Sequence, residues 1–179
     1  MRSLLEWLGL GSSPASDPAA GDTASVRRIV AKLEDLEPQR ARRVAAFAYL
    51  LGRVAHADLD ISDEETAAME KLVREVGQLP DDQALLVVEI AKMQNRLFGG
   101  TESFRVAREY RDLTAKDERE RLLHCLFAVS AADDVITGPE EAEVRKIAEE
   151  LGFSHREFIT VRSQYNDRRS VIRGLPPRG

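Results

Sequence analysis

The sequence predicts an all-α protein, a bundle of about seven helices built from a duplicated helix-loop-helix unit. Ala, Leu, Glu and Arg are abundant while aromatic residues make up only 6% of the chain, a composition that favours helices. Apolar residues recur at i, i+3, i+4 and i+7 along most of the chain, and no strand-like alternation of β-branched residues occurs. Sliding the chain along itself lays Val54–Gly77 on Val129–Gly152 without a gap, with nine of twenty-four positions identical. The repeated segments preserve their apolar phase, the mark of a duplicated structural unit.

The elements follow in order. Residues 3–10 can make two turns of helix with Leu4, Leu5, Trp7 and Leu8, and the Ser-, Pro-, Ala- and Gly-rich stretch 12–21 reads as a flexible linker. A loose arm or one docked on the body is the first expectation, and contact with a membrane surface the alternative, against which stands the lack of a basic face. From Thr23, the residues Val26, Ile29, Val30 and Leu33 form one helical face. Pro38 suits the first turn of the next helix, which carries Val44, Phe47, Ala48, Leu51, Val54 and Ala55 in phase. Arg40, Arg42 and Arg43 are expected to be solvated or to pair with Glu34, Asp35 and Glu37. A helix over 63–76 buries Met69, Leu72, Val73 and Val76, with Gly77 as the left-handed residue that closes it.

A further helix runs from Pro80 to Leu97 with Leu85, Leu86, Val88 and Ile90 on a broad apolar surface, and Gly99-Gly100 ends it. Thr101 caps a short helix to about Asp112 with Phe104, Val106, Ala107 and Tyr110 making contacts, and Thr114 with Asp117 opens the second long helix. Leu122, Leu123, Leu126, Val129 and Ser130 then stand, in the second copy, where Phe47, Ala48, Leu51, Val54 and Ala55 stand in the first. Val144, Ile147, Ala148 and Leu151 similarly repeat Met69, Leu72, Val73 and Val76, and Ser154 with Glu157 caps a last helix to about Asn166. The organisation is thus an arm over 1–22, a helical domain over 23–167 with internal repeat 47–77 and 122–152, and a basic tail over 168–179.

Composition limits the function classes. A 179-residue chain with 43% hydrophobic and 32% charged residues is sized for one globular domain or two small, intimately packed halves. No apolar run approaches the roughly 18 residues of a membrane span, and Glu6 interrupts the N-terminal apolar stretch, so cytoplasmic residence is expected. A net charge of −5 argues against a nucleic-acid partner. The lone Cys125 excludes an internal disulfide and reads as a buried core thiol. His56, His124 and His155 lack metal-ligand spacing, His56 reading as a helix-end side chain, and no phosphate loop or nucleophile turn occurs. A non-enzymatic role follows as the expectation.

The most distinctive feature is an acidic stretch that occurs twice, Asp58-Leu59-Asp60-Ile61-Ser62-Asp63-Glu64-Glu65 and Asp133-Asp134-Val135-Ile136-Thr137-Gly138-Pro139-Glu140. Its first account is structural. Ser62 with Glu65 and Thr137 with Glu140 match the capping box, in which hydroxyl and carboxylate each take a free amide of the helix start. Asp63 and Glu64 suit the positive end of the helix dipole, and Pro139 tolerates a first turn. The second account is a divalent cation held by Asp58, Asp60, Asp63 and Glu65, with a second candidate set at Asp133, Asp134 and Glu140, since hard cations take several carboxylate oxygens.

The cation site is not an EF-hand. Placing Glu65 at the twelfth loop position puts Val54 and His56 at the first and third ligand positions, and starting at Asp58 puts Met69 at the twelfth. A hydrolase using the paired carboxylates is the remaining catalytic alternative, with only common helix-start acids behind it.

The signature Ala57-Asp58-x-x-Ile61-Ser62-x-x-Glu65, repeated as Ala132-Asp133-x-x-Ile136-Thr137-x-x-Glu140, resembles the TerB family of tellurite resistance, which is similar to the N-terminal accessory domain of DjlA-type co-chaperones. The stretch Ile147-Ala148-x-x-Leu151-Gly152-Phe153-Ser154-His155-Arg156-Glu157-Phe158 resembles the C-terminal end of stand-alone members, and the similarity covers about 40–165. The resemblance implies an all-helical fold, a bacterial cytoplasmic or membrane-associated setting, a stress or tellurite response, and cation binding by the acidic turns. Leu59 and Asp134 depart from the Gly usual after the Asp, which for Leu59 would cost about 1–2 kcal/mol in a left-handed turn. With no His-Pro-Asp tripeptide, the chain lacks J-domain activity, and a co-chaperone-accessory or scaffold role with a protein partner is the alternative function.

Overall fold

A computed structural model describes residues 20–55, 63–97, 103–132 and 135–168, with the side chains of 20–26, 64–65, 93–97, 103 and 168 excepted. The described residues form eight α-helices, in keeping with the bundle of about seven that the sequence predicts, and a closing 3₁₀ turn at Asn166–Arg168. In order they are α1 (Ala20–Glu34), α2 (Pro38–Ala55), α3 (Asp63–Glu75), α4 (Asp81–Leu97), α5 (Ser103–Leu113), α6 (Lys116–Ser130), α7 (Gly138–Glu150) and α8 (His155–Ser163). α1 starts upstream of Thr23. The expected arm at 3–10, the linker up to residue 19, Gly99-Gly100, the Thr101 cap and the tail beyond Arg168 lie outside the described residues.

α2 is the hub. Eleven of its eighteen residues are buried, so it is apolar all round rather than along one stripe. The phase of Val44, Phe47, Ala48, Leu51 and Val54 marks one buried face, but Ala46, Tyr49 and Leu50 are buried too. The reason is that α1, α4 and α5 pack on it as well as α6 and α7. Small Ala residues at 41, 45, 46 and 48 let these neighbours approach.

The duplication is visible in the packing. α3 and α7 begin and end at equivalent positions of the two copies, Asp63 answering to Gly138 and Glu75 to Glu150. Each long helix packs against the short helix of the other copy, α2 on α7 and α6 on α3. Arg43 and Glu118 also occupy equivalent positions, and their side chains meet at 3.5 Å. A residue touches its own equivalent only near a two-fold axis, so the copies face each other across α2 and α6. The expected core of the second copy is buried at Leu122, Leu123, Leu126, Val144, Ile147, Ala148 and Leu151. Met69 and Val73 are buried in the first copy, whereas Leu72 and Val76 are half-buried.

Several local expectations need correction. Leu85 and Phe104 are 40% and 54% exposed, so neither belongs to the core. Arg42 and Arg43 pair with Glu109 and Glu118 from other helices instead of with the preceding acidic turn. Glu37 instead accepts from the amides of Gln39 and Arg40, capping α2. Thr114 does not cap α6: its hydroxyl donates to the Tyr110 carbonyl, and the cap residue is Ala115, whose amide donates to Glu118. Only the carboxylate half of a capping box is made there, because Ala has no acceptor.

The glycine ends also differ. Gly77 does not take the left-handed conformation; Gln78 does, with φ 55°. Gly77 is required for another reason, since a Cβ there would lie 2.5 Å from the Val73 carbonyl oxygen. Gly152 does take φ 85°, and α7 ends there with the Phe153 amide returning to the Ala148 carbonyl. Gly152→Ala is therefore expected to lose about 1–2 kcal/mol in a conformation that L side chains avoid. Thermal melting followed by circular dichroism should show a drop of roughly 2–8 °C for a domain of this size, and an unchanged midpoint would mean that the turn relaxes.

Candidate functional site

The two acidic stretches each lead into a helix that starts at an equivalent position of the repeat. α3 begins at Asp63 and α7 at Gly138, each immediately after its Ser or Thr. Thr137 caps α7 fully. Its hydroxyl accepts from the Glu140 amide at 3.4 Å, and its own amide and hydroxyl both donate to Glu140 Oε2 at 2.7 Å. Pro139 sits in the first turn, where its missing amide hydrogen leaves no bond unmade. Ile136, just before the cap, is 1% exposed and pins the turn to the core.

Of the candidate cation ligands, Asp63 is exposed at the start of α3, and Glu140 is engaged in its cap through Oε2, which leaves coordination to Oε1. Asp58, Asp60, Asp133, Asp134 and the Glu65 side chain lie outside the described residues, as do His56 and Ser62. Among the described residues no three His, Cys, Asp or Glu side chains converge as a metal site.

What sequence reasoning missed is the charge that frames these turns. Arg53, in the last turn of α2 just before the first acidic stretch, is only 7% exposed at its side chain. Its guanidinium donates through Nη1 to Glu150 Oε2 at 2.5 Å and through Nε to Glu143 Oε1 at 2.7 Å. The Glu150 side chain is 8% exposed. Burial works against the charge on Arg53, but the bonds and charges of Glu150 and Glu143 together hold its pKa above the ordinary value. This cluster ties the end of α2 in one copy to α7 in the other. The available signal was the apolar phase of α2, which places Arg53 one residue before the buried Val54.

The C-terminal end of the second copy is similarly tied. Arg162 of α8 donates to Glu141 of α7 at 3.1 Å, and Arg145 and Arg162 lie over the Phe158 ring at 5.7 and 5.8 Å. Arg119 of α6 donates to the Leu151 carbonyl at 2.8 Å, satisfying an open carbonyl at the end of α7. Cys125 is buried as expected, and burial pushes its thiol up to about 12, far from a reactive thiolate. His124 has its pKa lowered by burial, and its ring nitrogen faces the Tyr165 hydroxyl at 3.3 Å.

Ser154 caps α8 as expected, with its amide and hydroxyl donating to Glu157 at 2.8 and 2.7 Å. Lys116, at the start of α6, donates to the same Glu157 carboxylate. The Lys116 bond first, and those of Ser154, pull the Glu157 pKa from 4.5 down to about 2. A carboxyl with a depressed folded pKa contributes stability that is present above its unfolded value and is lost as pH falls through the folded one. Glu157→Gln is expected to flatten the acid limb of the stability curve between pH 4.5 and about 2. Urea midpoints measured across that window check this, and equal slopes for the two proteins would count against the Lys116 contact.

Two helix pairs in register, whose second helices begin at equivalent positions and which pack across a shared core, define a duplicated all-helical domain. The family model for tellurite resistance protein TerB matches residues 43–163, about two thirds of the chain, and the chain belongs to that family. Comparison with curated proteins and with solved structures returns no match. Among the described residues, no helix is long and apolar enough to cross a membrane.

Proposed function

We propose that the chain is a non-enzymatic binding module of a bacterial, cytoplasmic response of the tellurite-resistance or stress type, working through a protein partner and responsive to a divalent cation. The observation that carries this reading is the in-register repeat: α3 and α7 start at equivalent positions, each behind the same acidic stretch. Cap formation accounts for Thr137 and Glu140. It leaves Asp58 and Asp60 in one copy, and Asp133 and Asp134 in the other, without a structural task that capping supplies. Those four, with Asp63, Glu65 and Glu140 at the helix starts, are the ligand set for a hard cation, and their oxygen-only chemistry favours calcium or magnesium over softer ions.

Titration calorimetry of the full chain with calcium, magnesium, manganese and zinc tests the cation role. Saturable heat is expected, with the bound ion raising the melting temperature of the native chain but not of the Asp58→Ala/Asp133→Ala variant. No heat with any of the four ions would reduce both turns to helix caps.

A further inference from the structure

A second feature lies away from the acidic turns, where α2, α4, α5 and α6 meet and leave a cleft of about 260 Å³. Its floor is aromatic and aliphatic, with Phe47 and Tyr110 in edge-to-face contact at 6.2 Å. Its polar wall consists of Arg40, Arg43, Gln83 and Glu118.

Three observations on that wall point the same way. Glu118 is fully engaged, one oxygen accepting from the Ala115 amide and the other facing Arg43 at 3.5 Å. Gln83 is a buried amide, 4% exposed, on the wall of an open cleft. With its amide turned so that the oxygen faces Arg40, that oxygen accepts from Nε at 2.8 Å and Nη2 at 2.5 Å. Arg40 is thereby held by a neutral partner on one edge and makes no ion pair among the described residues. Two guanidiniums against one carboxylate leave the wall with one positive charge in excess, in a chain whose net charge is −5. A buried neutral amide that holds one edge of a guanidinium without neutralising it leaves the other edge of the exposed Arg40 fork open to an anion.

We propose that this cleft binds a small organic monoanion, a carboxylate on a compact aromatic or branched apolar body. The carboxylate engages Arg40, and Arg43 adds its charge from beside Glu118. The body lies on Phe47 and Tyr110. The volume falls below the ~300–1,000 Å³ of sites that take drug-sized molecules, so the ligand is of fragment size. A dianionic phosphate would overcompensate the single excess charge, whereas one carboxylate balances it. Gln83 is a positioning residue that acts through Arg40.

Nuclear magnetic resonance titration of the labelled full chain with benzoate, benzamide and phenyl phosphate tests this site. Benzoate is expected to shift the amides of Phe47, Gln83 and Tyr110 saturably, and benzamide to bind at least about tenfold more weakly for want of the charge-assisted bond. Arg40→Met should weaken benzoate by about tenfold or more in a chain that still unfolds cooperatively, its melting temperature lowered modestly because the buried Gln83 amide loses its partner. Gln83→Glu should do the same while Arg40 is retained, because it neutralises the guanidinium. The proposal is overturned if benzoate does not saturate, if benzamide binds equally well, or if Arg40→Met binds benzoate like the native chain. Tighter binding of phenyl phosphate than of benzoate overturns the monoanion assignment.

Discussion

Arg53→Met is expected to destabilise the protein by about 3–5 kcal/mol, because it leaves the buried Glu150 carboxylate without its counter-charge. The Arg53 side chain is 7% exposed and that of Glu150 8%, so solvent cannot replace the lost guanidinium. The companion variant separates pair energy from the penalty of breaking the pair. In Arg53→Met/Glu150→Leu neither charge remains, and the double variant should recover most of the loss, since a buried pair and a well-packed apolar substitute are often comparable. Guanidinium unfolding of the native, single and double variants checks both statements. A single variant within about 1 kcal/mol of the native chain would mean that Glu150 finds water or another partner, a result expected only of exposed pairs. The wider consequence concerns the acidic turns: Arg53 closes the helix that leads into the first of them and holds it to α7, so a cation effect measured in Arg53→Met should weaken together with stability.

Phe127→Ala is expected to cost about 3–5 kcal/mol, the range for emptying an aromatic from a packed core. Phe127 is fully buried on α6 and stacks with Tyr165 at 5.1 Å and against Phe158 at 5.8 Å. These two rings hold α8 and the residues after it to the body. Tyr165 also donates from its hydroxyl to the His124 carbonyl at 3.1 Å. Loss of Phe127 should therefore loosen the C-terminal end before the α2 hub, which hydrogen exchange would register as early opening of α8. Phe104→Ala supplies the control: that ring is 54% exposed, and its removal should stay within about 0.5 kcal/mol. Equal losses at the two positions would contradict the assignment of Phe127 to the core and Phe104 to the surface.

The helical class, the internal repeat, and the caps at Thr137 and Ser154 are all legible in the amino-acid sequence alone. These are local matters. A hydroxyl three residues before a carboxylate satisfies amides within its own turn, and helical phase is written along one segment. The agreement of α3 and α7 to the residue at both ends follows, because each is opened and closed by its own few residues. Even local chemistry misleads where two solutions compete. Thr114 carries a good capping side chain, but its hydroxyl takes the Tyr110 carbonyl instead, and the cap passes to Ala115 with Glu118. Gly77 has the character of a left-handed terminus, but its value lies in letting the chain pass the Val73 carbonyl, and Gln78 makes the turn.

Which charges meet is a matter of tertiary packing. Arg53 and Glu150 stand far apart in the chain with no periodicity to link them, and although the repeat makes Arg43 and Glu118 equivalents, it does not say that equivalents touch. They become neighbours because α2 is covered on all sides and the two copies face each other across α2 and α6. The same packing made a cleft wall from Arg40 and Gln83, which the sequence shows only as a first-turn cation and a polar helix residue. Pattern follows from the chain's own geometry over a few residues, whereas ion partners and cleft walls depend on how separate helices are brought together, and that is settled by burial of the whole core.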